Sequence, residues 1–167
     1  MYGFDIYSLF LYPIIYIFPA YVANGSPVIF GGGVPLDLGK RFRGKAIFGR
    51  HKTLRGLIFG LASGFVIAYA ESIFIPYMLS AGIMLTIGTH VGDLFGSFAK
   101  RRIGKKEGEA VLILDQYLFL IFALLLAIPA GHTPSPYGIV FIFILTGAMH
   151  KLTNILAHKA KIKNVPW

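Results

Sequence analysis

Apolar residues in this chain gather in five long blocks with almost no polar interruption, not in the half-apolar stripes of helices that meet water on one side. The blocks cover 6–23, 53–70, 73–92, 111–130 and 137–157. Each comes close to the ~20 residues that a helix needs to cross a bilayer. Only Glu71 and Ser72 separate the second block from the third, which predicts a tight turn, and Pro76 can delay the start of the third helix. Pro13 and Pro19 are predicted to kink the first. That block lacks a basic leader and carries two prolines and many aromatics, so it reads as a retained helix and not a cleaved signal. The pattern predicts an all-α integral membrane protein, a single domain over 1–167 with five transmembrane helices.

Composition agrees. The 167 residues are 56% hydrophobic and 14% charged, where a soluble domain carries about 25% charge. An ordinary soluble enzyme and a disordered chain are both excluded. With no cysteine, so are a thiol nucleophile and any Cys-ligated metal. Net charge is +9, which in so apolar a chain points to anionic lipid or phosphate ligands and not to nucleic acid.

The positive charges set the orientation. All 16 fall in three places: Lys40 to Arg55, Lys100 to Lys106, and Lys151 to Lys163. Five spans bring these three segments to one face, which the positive-inside rule makes cytoplasmic, with the N-terminus outside and the C-terminus inside. The expected cytoplasmic loops are about 24–52 and 99–110, and Glu71 is expected outside.

Two acids stand beside membrane sequence, where an unpaired carboxylate costs roughly 2.5–3.5 kcal/mol. Asp93 precedes Lys100 by seven residues, about 10 Å along a helix. Asp115 opens the next span, at similar depth on an antiparallel neighbour. Each has a structural reading as an ion pair with a loop lysine or arginine. Two at matched depth under so many positive charges favour a divalent-cation site, and magnesium needs only one or two carboxylates when phosphates complete its shell. His90 and His150 read as packed, hydrogen-bonded histidines, and His150, Lys151, Asn154 and His158 share one helix face.

Glycines recur every fourth residue at Gly56, Gly60 and Gly64 and again at Gly88, Gly92 and Gly96, a spacing that lets helix backbones approach closely. The first basic loop is also rich in glycine, with Asp37 as its only acid, so backbone amides and cations can meet phosphate oxygens there. Its GKRFRGKA stretch lacks the final Ser/Thr and the strand–loop–helix setting of a P-loop.

Gly92-Asp93-Leu94-Phe95-Gly96-Ser97, then Lys100-Arg101, Lys106-Glu107 and Asp115, resembles the signature of membrane CTP:phosphatidate cytidylyltransferases. Asn24, Phe30 to Gly33, Pro35, Asp37, Gly39-Lys40, Gly49, Lys52-Thr53 and Arg55-Gly56 are similar to its archaeal branch, the CDP-archaeol synthases. Three positions depart from the pattern: Leu118 stands in place of a second Asp, Glu107 in place of Asp, and Gly49-Arg50-His51 where Gly-Asp-Gly is usual. No Pro-Gly-His-Gly-Gly element is present.

The resemblance implies transfer of CMP from CTP to an unsaturated diether glycerol phosphate, giving a CDP-lipid and pyrophosphate with Mg2+ in phospholipid synthesis at the cell membrane. It implies Asp93 and Asp115 as metal ligands, and Lys52, Arg55, Lys100 and Arg101 as phosphate-holding residues; their three-residue spacing is expected to put Lys52 and Arg55 on roughly one helix face. Asn24, Ser26, Asp37 and Lys40 are the expected CTP contacts. The nearest alternative is a diacyl phosphatidate cytidylyltransferase. A transporter is less favoured, since the span number is odd, no repeat is present and both acids lie at one end.

Overall fold

The computed structural model describes residues 5–109 and 111–159. Among them are five helices long and apolar enough to cross a membrane. A π-helical turn, Tyr7–Leu11, runs directly into α1 (Tyr12–Phe30); α2 (Leu54–Ser72), α3 (Met78–Arg102), α4 (Leu112–Ala127) and α5 (Pro136–Lys159) follow. The protein is a multi-pass, all-α membrane protein. Between α1 and α2 lies a hairpin of two short antiparallel strands, β1 (Arg41–Phe42) and β2 (Lys45–Ala46).

Several helix boundaries correct the sequence reading: α2 includes Glu71 and Ser72, where a turn is expected, and α3 runs past 92 to Arg102, so Lys100, Arg101 and Arg102 are its last turn and not the second loop. The first helix continues to Phe30, so Asn24 and Ser26 belong to α1 and not to the loop. Ser26 turns inward, its hydroxyl donating to the Val22 carbonyl at 2.8 Å and bonding Ser63 of α2 at 2.6 Å. The carbonyl of Ala23, which Pro27 leaves without a helical N–H partner, faces Gly60 of α2. The third helix starts at Met78 and not at 73, because residues after Glu71 turn twice onto its carbonyl before Pro76.

α3 lies at the centre, packed on α1, α2 and α4. Its glycine ladder meets α4 backbone directly. A Cβ on Gly88 would lie 2.6 Å from Ala123 Cα, and one on Gly92 2.8 Å from Phe119 Cα. Leu118, at the position of the missing second Asp, packs into this seam against Gly92 and Gly96. The core is built from Tyr16, Ile17 and Ala20 of α1, Met78, Ala81 and Leu85 of α3, Phe119, Leu120 and Ala123 of α4, and Ile142 of α5. Val66, Phe74, Ile113 and Ile144 stand exposed on the outside, as lipid-facing residues do.

At one end of the bundle the Tyr12 hydroxyl donates to the His132 carbonyl, and Tyr77 stacks on the His132 ring at 3.9 Å. The two basic loops meet at the other end, where the hairpin rests on the last turn of α3.

Candidate active site

The loop that carries the site is organised by Asp37. Its Oδ1 accepts the Gly39 amide at 3.0 Å, and its Oδ2 accepts those of Phe48 and Gly49 at 3.0 and 3.1 Å. Burial pushes its pKa up, but the bonds from Phe48, Gly49 and Gly39 outweigh that and hold the carboxyl below its usual 3.8. Expected as a CTP contact, Asp37 is instead consumed in holding its own loop. The strand-like segment at 34–36 then pairs with 52–54 through Leu36 N–H to Lys52 O at 2.7 Å and Leu54 N–H to Val34 O at 3.0 Å. Thr53 caps α2, its Oγ1 accepting from Gly56 N–H at 3.1 Å and from Gly32 N–H at 3.2 Å. Those bonds set Lys52 just ahead of the helix.

The 49–52 segment links two recesses: Gly49 and Arg50 lie against Arg101 and Glu107, which line the larger, while His51 and Lys52 line the smaller. The smaller, about 50 Å³, is lined by Lys52, Thr53, His90 and Asp93 among apolar neighbours that include Pro27, Leu57 and Leu94. In it the Lys52 ammonium meets Asp93 Oδ1 at 2.6 Å, both side chains about two-thirds buried. One turn before Asp93, His90 is 6% exposed; its Nε2 has no hydrogen-bond partner among the described residues, and its ring lies against Gly60. The larger recess, about 320 Å³, lies between the hairpin and the end of α3. Arg41, Lys45, Arg101 and Lys105 line it, with Glu107 as its one acid. Arg50 bonds Glu107 at 3.1 Å and holds its carboxyl below the usual carboxylate value.

Asp115 sits in the first turn of α4, where a carboxylate suits the helix dipole. Its Oδ2 accepts the Val111 amide at 2.7 Å and its Oδ1 pairs with the Lys100 ammonium. Each acid thus holds a lysine, the ion-pair arrangement that the sequence offered as the alternative to a metal. The donor chemistry still suits Mg2+, as hard carboxylate oxygens already drawing cations, although Asp93 lines only the smaller recess and Asp115 lines neither. No group of three or more His, Cys, Asp or Glu occurs among the described residues, so a metal here needs substrate oxygens to complete its shell.

Other expected site residues are placed differently. Arg101 is 7% exposed and donates to the Lys106 carbonyl at 3.0 Å, lining the larger recess while it holds the second loop. Arg55 is exposed, its guanidinium 5.8 Å from the Phe59 ring and outside both recesses. It does not share a helix face with Lys52, which precedes α2. Lys40 is exposed and lines neither recess. Ser26 is spent on Ser63, below the loop. Lys161 and Lys163 lie outside the described residues. Sequence reasoning missed Lys45, Lys105 and Arg41 as one lining, because only the hairpin fold brings 41–46 to 101–107.

Comparison with known proteins identifies the family. Residues 6–167 match the family model described as CarS-like: CDP-archaeol synthase. A CDP-archaeol synthase of Pyrococcus furiosus is 45% identical over 159 residues, covering 91% of this chain and 95% of the relative. Those of Methanopyrus kandleri and Methanocaldococcus jannaschii are 41% and 38% identical, covering 91% and 96% of this chain and 90% and 99% of theirs. A solved structure, described as an intramembrane enzyme for archaeal membrane lipids biosynthesis, superposes with a TM-score of 0.81 at 32% identity, over 87% of this chain and 94% of that one. A match over nearly the whole length, with the carboxylates and cations gathered at one end of the bundle, makes the chain a member of the CarS-like CDP-archaeol synthase family.

Proposed function

We propose that the protein transfers CMP from CTP to an unsaturated archaeal diether glycerol phosphate, releasing pyrophosphate, at a site facing the cytoplasm. The observation that carries this reading is the cation-lined recess of Arg41, Lys45, Arg101 and Lys105, joined through the 49–52 segment to the recess that holds the Lys52–Asp93 pair. Two anions, one water-soluble and one on a lipid, must meet there, and only a positive site lets them approach.

The phosphomonoester oxygen of the lipid attacks the α-phosphorus of CTP; a new P–O bond forms as the bond to pyrophosphate breaks. The attacking group is already an anion, so no general base is required. Arg41, Lys45, Arg101 and Lys105 hold the nucleotide phosphates and neutralise the departing pyrophosphate. Lys52 and Lys100 can exchange their carboxylate partners for phosphate oxygens, since both are ammonium point charges on flexible stems. Asp93, with Asp115 as the second carboxylate, would hold Mg2+, which supplies charge neutralisation at the reacting phosphates.

Purified protein incubated with labelled CTP, Mg2+ and a panel of ether and ester lipid phosphates tests the assignment. The expected product is a CDP-lipid formed fastest from the unsaturated diether. Preferential use of diacyl phosphatidate would overturn the substrate class, and absence of any CDP-lipid would overturn the reaction.

A further inference from the structure

Arg102 closes α3 without lining either recess, and the sequence marks it only as one more positive charge. Its guanidinium donates to three backbone carbonyls of the hairpin: Nη1 to Phe42, and Nη2 to Ala46 and, at 3.3 Å, to Lys45. Its Cζ lies 5.4 Å from the Phe42 ring and 4.9 Å from the Phe98 ring. In return the Lys45 ammonium donates to the Arg102 carbonyl at 3.0 Å.

The hairpin needs such a clamp. Its strands are two residues each, and an isolated two-stranded hairpin is at best marginally stable in water. Its turn is tight, with Arg43 and Gly44 at φ of 50° and 75°, so its shape is set locally while its placement is not. Placement matters because Arg41, Gly44, Lys45 and Ala46 form one wall of the larger recess, opposite Arg101 and Lys105.

Resting on the reading above, we propose that Arg102 is a positioning residue for the nucleotide: it sets the width of the cation-lined recess and aims Arg41 and Lys45 without itself touching CTP. The planar fork is what does this. Three carbonyls at different points of a hairpin match the fixed donors of a guanidinium lying against the Phe42 and Phe98 rings. A lysine supplies the same charge but neither the fork nor the flat faces.

The test compares wild-type protein with Arg102→Lys and Arg102→Ala, purified in detergent, by steady-state kinetics in each substrate and by CTP binding measured without lipid. In both variants KM and Kd for CTP are expected to rise at least tenfold, while KM for the lipid phosphate stays within twofold and kcat at saturating CTP within threefold. Arg102→Lys carries the test if Arg102→Ala does not fold. A wild-type affinity for CTP in Arg102→Lys would overturn the proposal, leaving charge alone as the role. So would an equal rise in both KM values, or a fall in kcat with KM for CTP unchanged. Failure of the underlying reaction would appear separately, in the wild-type protein before any variant is compared.

Discussion

Gly60→Ala places a methyl group where a buried imidazole already lies. The new Cβ would stand 2.5 Å from His90 Nε2, closer still to Cε1, and 3.0 Å from the Ala23 carbonyl oxygen. Against an optimal separation of about 3.5 Å, the overlap with the ring is about 1 Å. His90 is 6% exposed, and on its other sides it faces the Lys52–Asp93 recess. Relief therefore requires the ring to enter that recess or α2 to move away from α3. Overpacking of this kind costs about 1–3 kcal/mol. Alanine in a helix returns up to about 1 kcal/mol over glycine, which leaves a net loss of up to about 2 kcal/mol and a deficit of about 1–3 kcal/mol against a glycine-to-alanine change free of overlap. Gly25→Ala is the control: it is helical in α1 with nothing within 4 Å of its Cβ, so it gains propensity without overlap. The assay is unfolding in mixed micelles on rising SDS, run on both variants and on Gly60→Ala/His90→Ala. The double variant removes the ring and should recover at least half of the loss through coupling between the two sites. Gly60→Ala as stable as Gly25→Ala, or a double variant whose losses simply add, would refute the reasoning.

Asp93→Asn and Asp115→Asn should each leave less than a tenth of Mg2+-dependent turnover, a barrier increase above about 1.4 kcal/mol, while the protein stays monodisperse; more activity in either removes that residue from the ligand set. Lys52→Ala should slow CMP transfer about 100-fold, near 2.7 kcal/mol, whereas Arg55→Ala, whose side chain lies over Phe59, should cost less than tenfold in the same rate assay. Asp37, with its pKa lowered, contributes loop stability that is fully present above 3.8 and is lost as pH falls through its folded pKa. Hydrogen exchange at the Phe48 and Gly49 amides should therefore accelerate below 3.8 relative to the intrinsic rate, and Asp37→Asn should show that fast exchange at neutral pH. Cysteines introduced at positions 41 and 104 of this thiol-free chain should resist impermeant reagents on intact cells, and their labelling from outside would reverse the topology.

The five spans were legible in the sequence because lipid leaves the backbone almost no choice. A run of about 20 apolar residues must satisfy its own hydrogen bonds as a helix. The gathering of Asp93, Asp115 and the cations at one end was legible too, since span count and helical rise fix depth along the membrane normal. The α3 glycine ladder likewise announced a close helix contact. What a one-dimensional pattern does not carry is direction around each helix and through each loop. Asp37, isolated among glycines, looked like a ligand-facing acid, yet only the folded loop reveals three amides converging on it. Lys52 and Arg55 looked equivalent until the Thr53 cap placed one before the helix and turned the other out over Phe59. Ser26 fell in the expected loop because the apolar block ends at 23, yet α1 runs on to Phe30 and sets Ser26 against Ser63 of α2. Arg102 was one charge among 16, and its fork found the hairpin carbonyls only because residues nearly 60 positions apart in the chain fold against each other. Hydrophobic length is a property of consecutive residues, so sequence alone decides it. A hydrogen bond is a property of two groups in space, and tertiary structure alone brings them together.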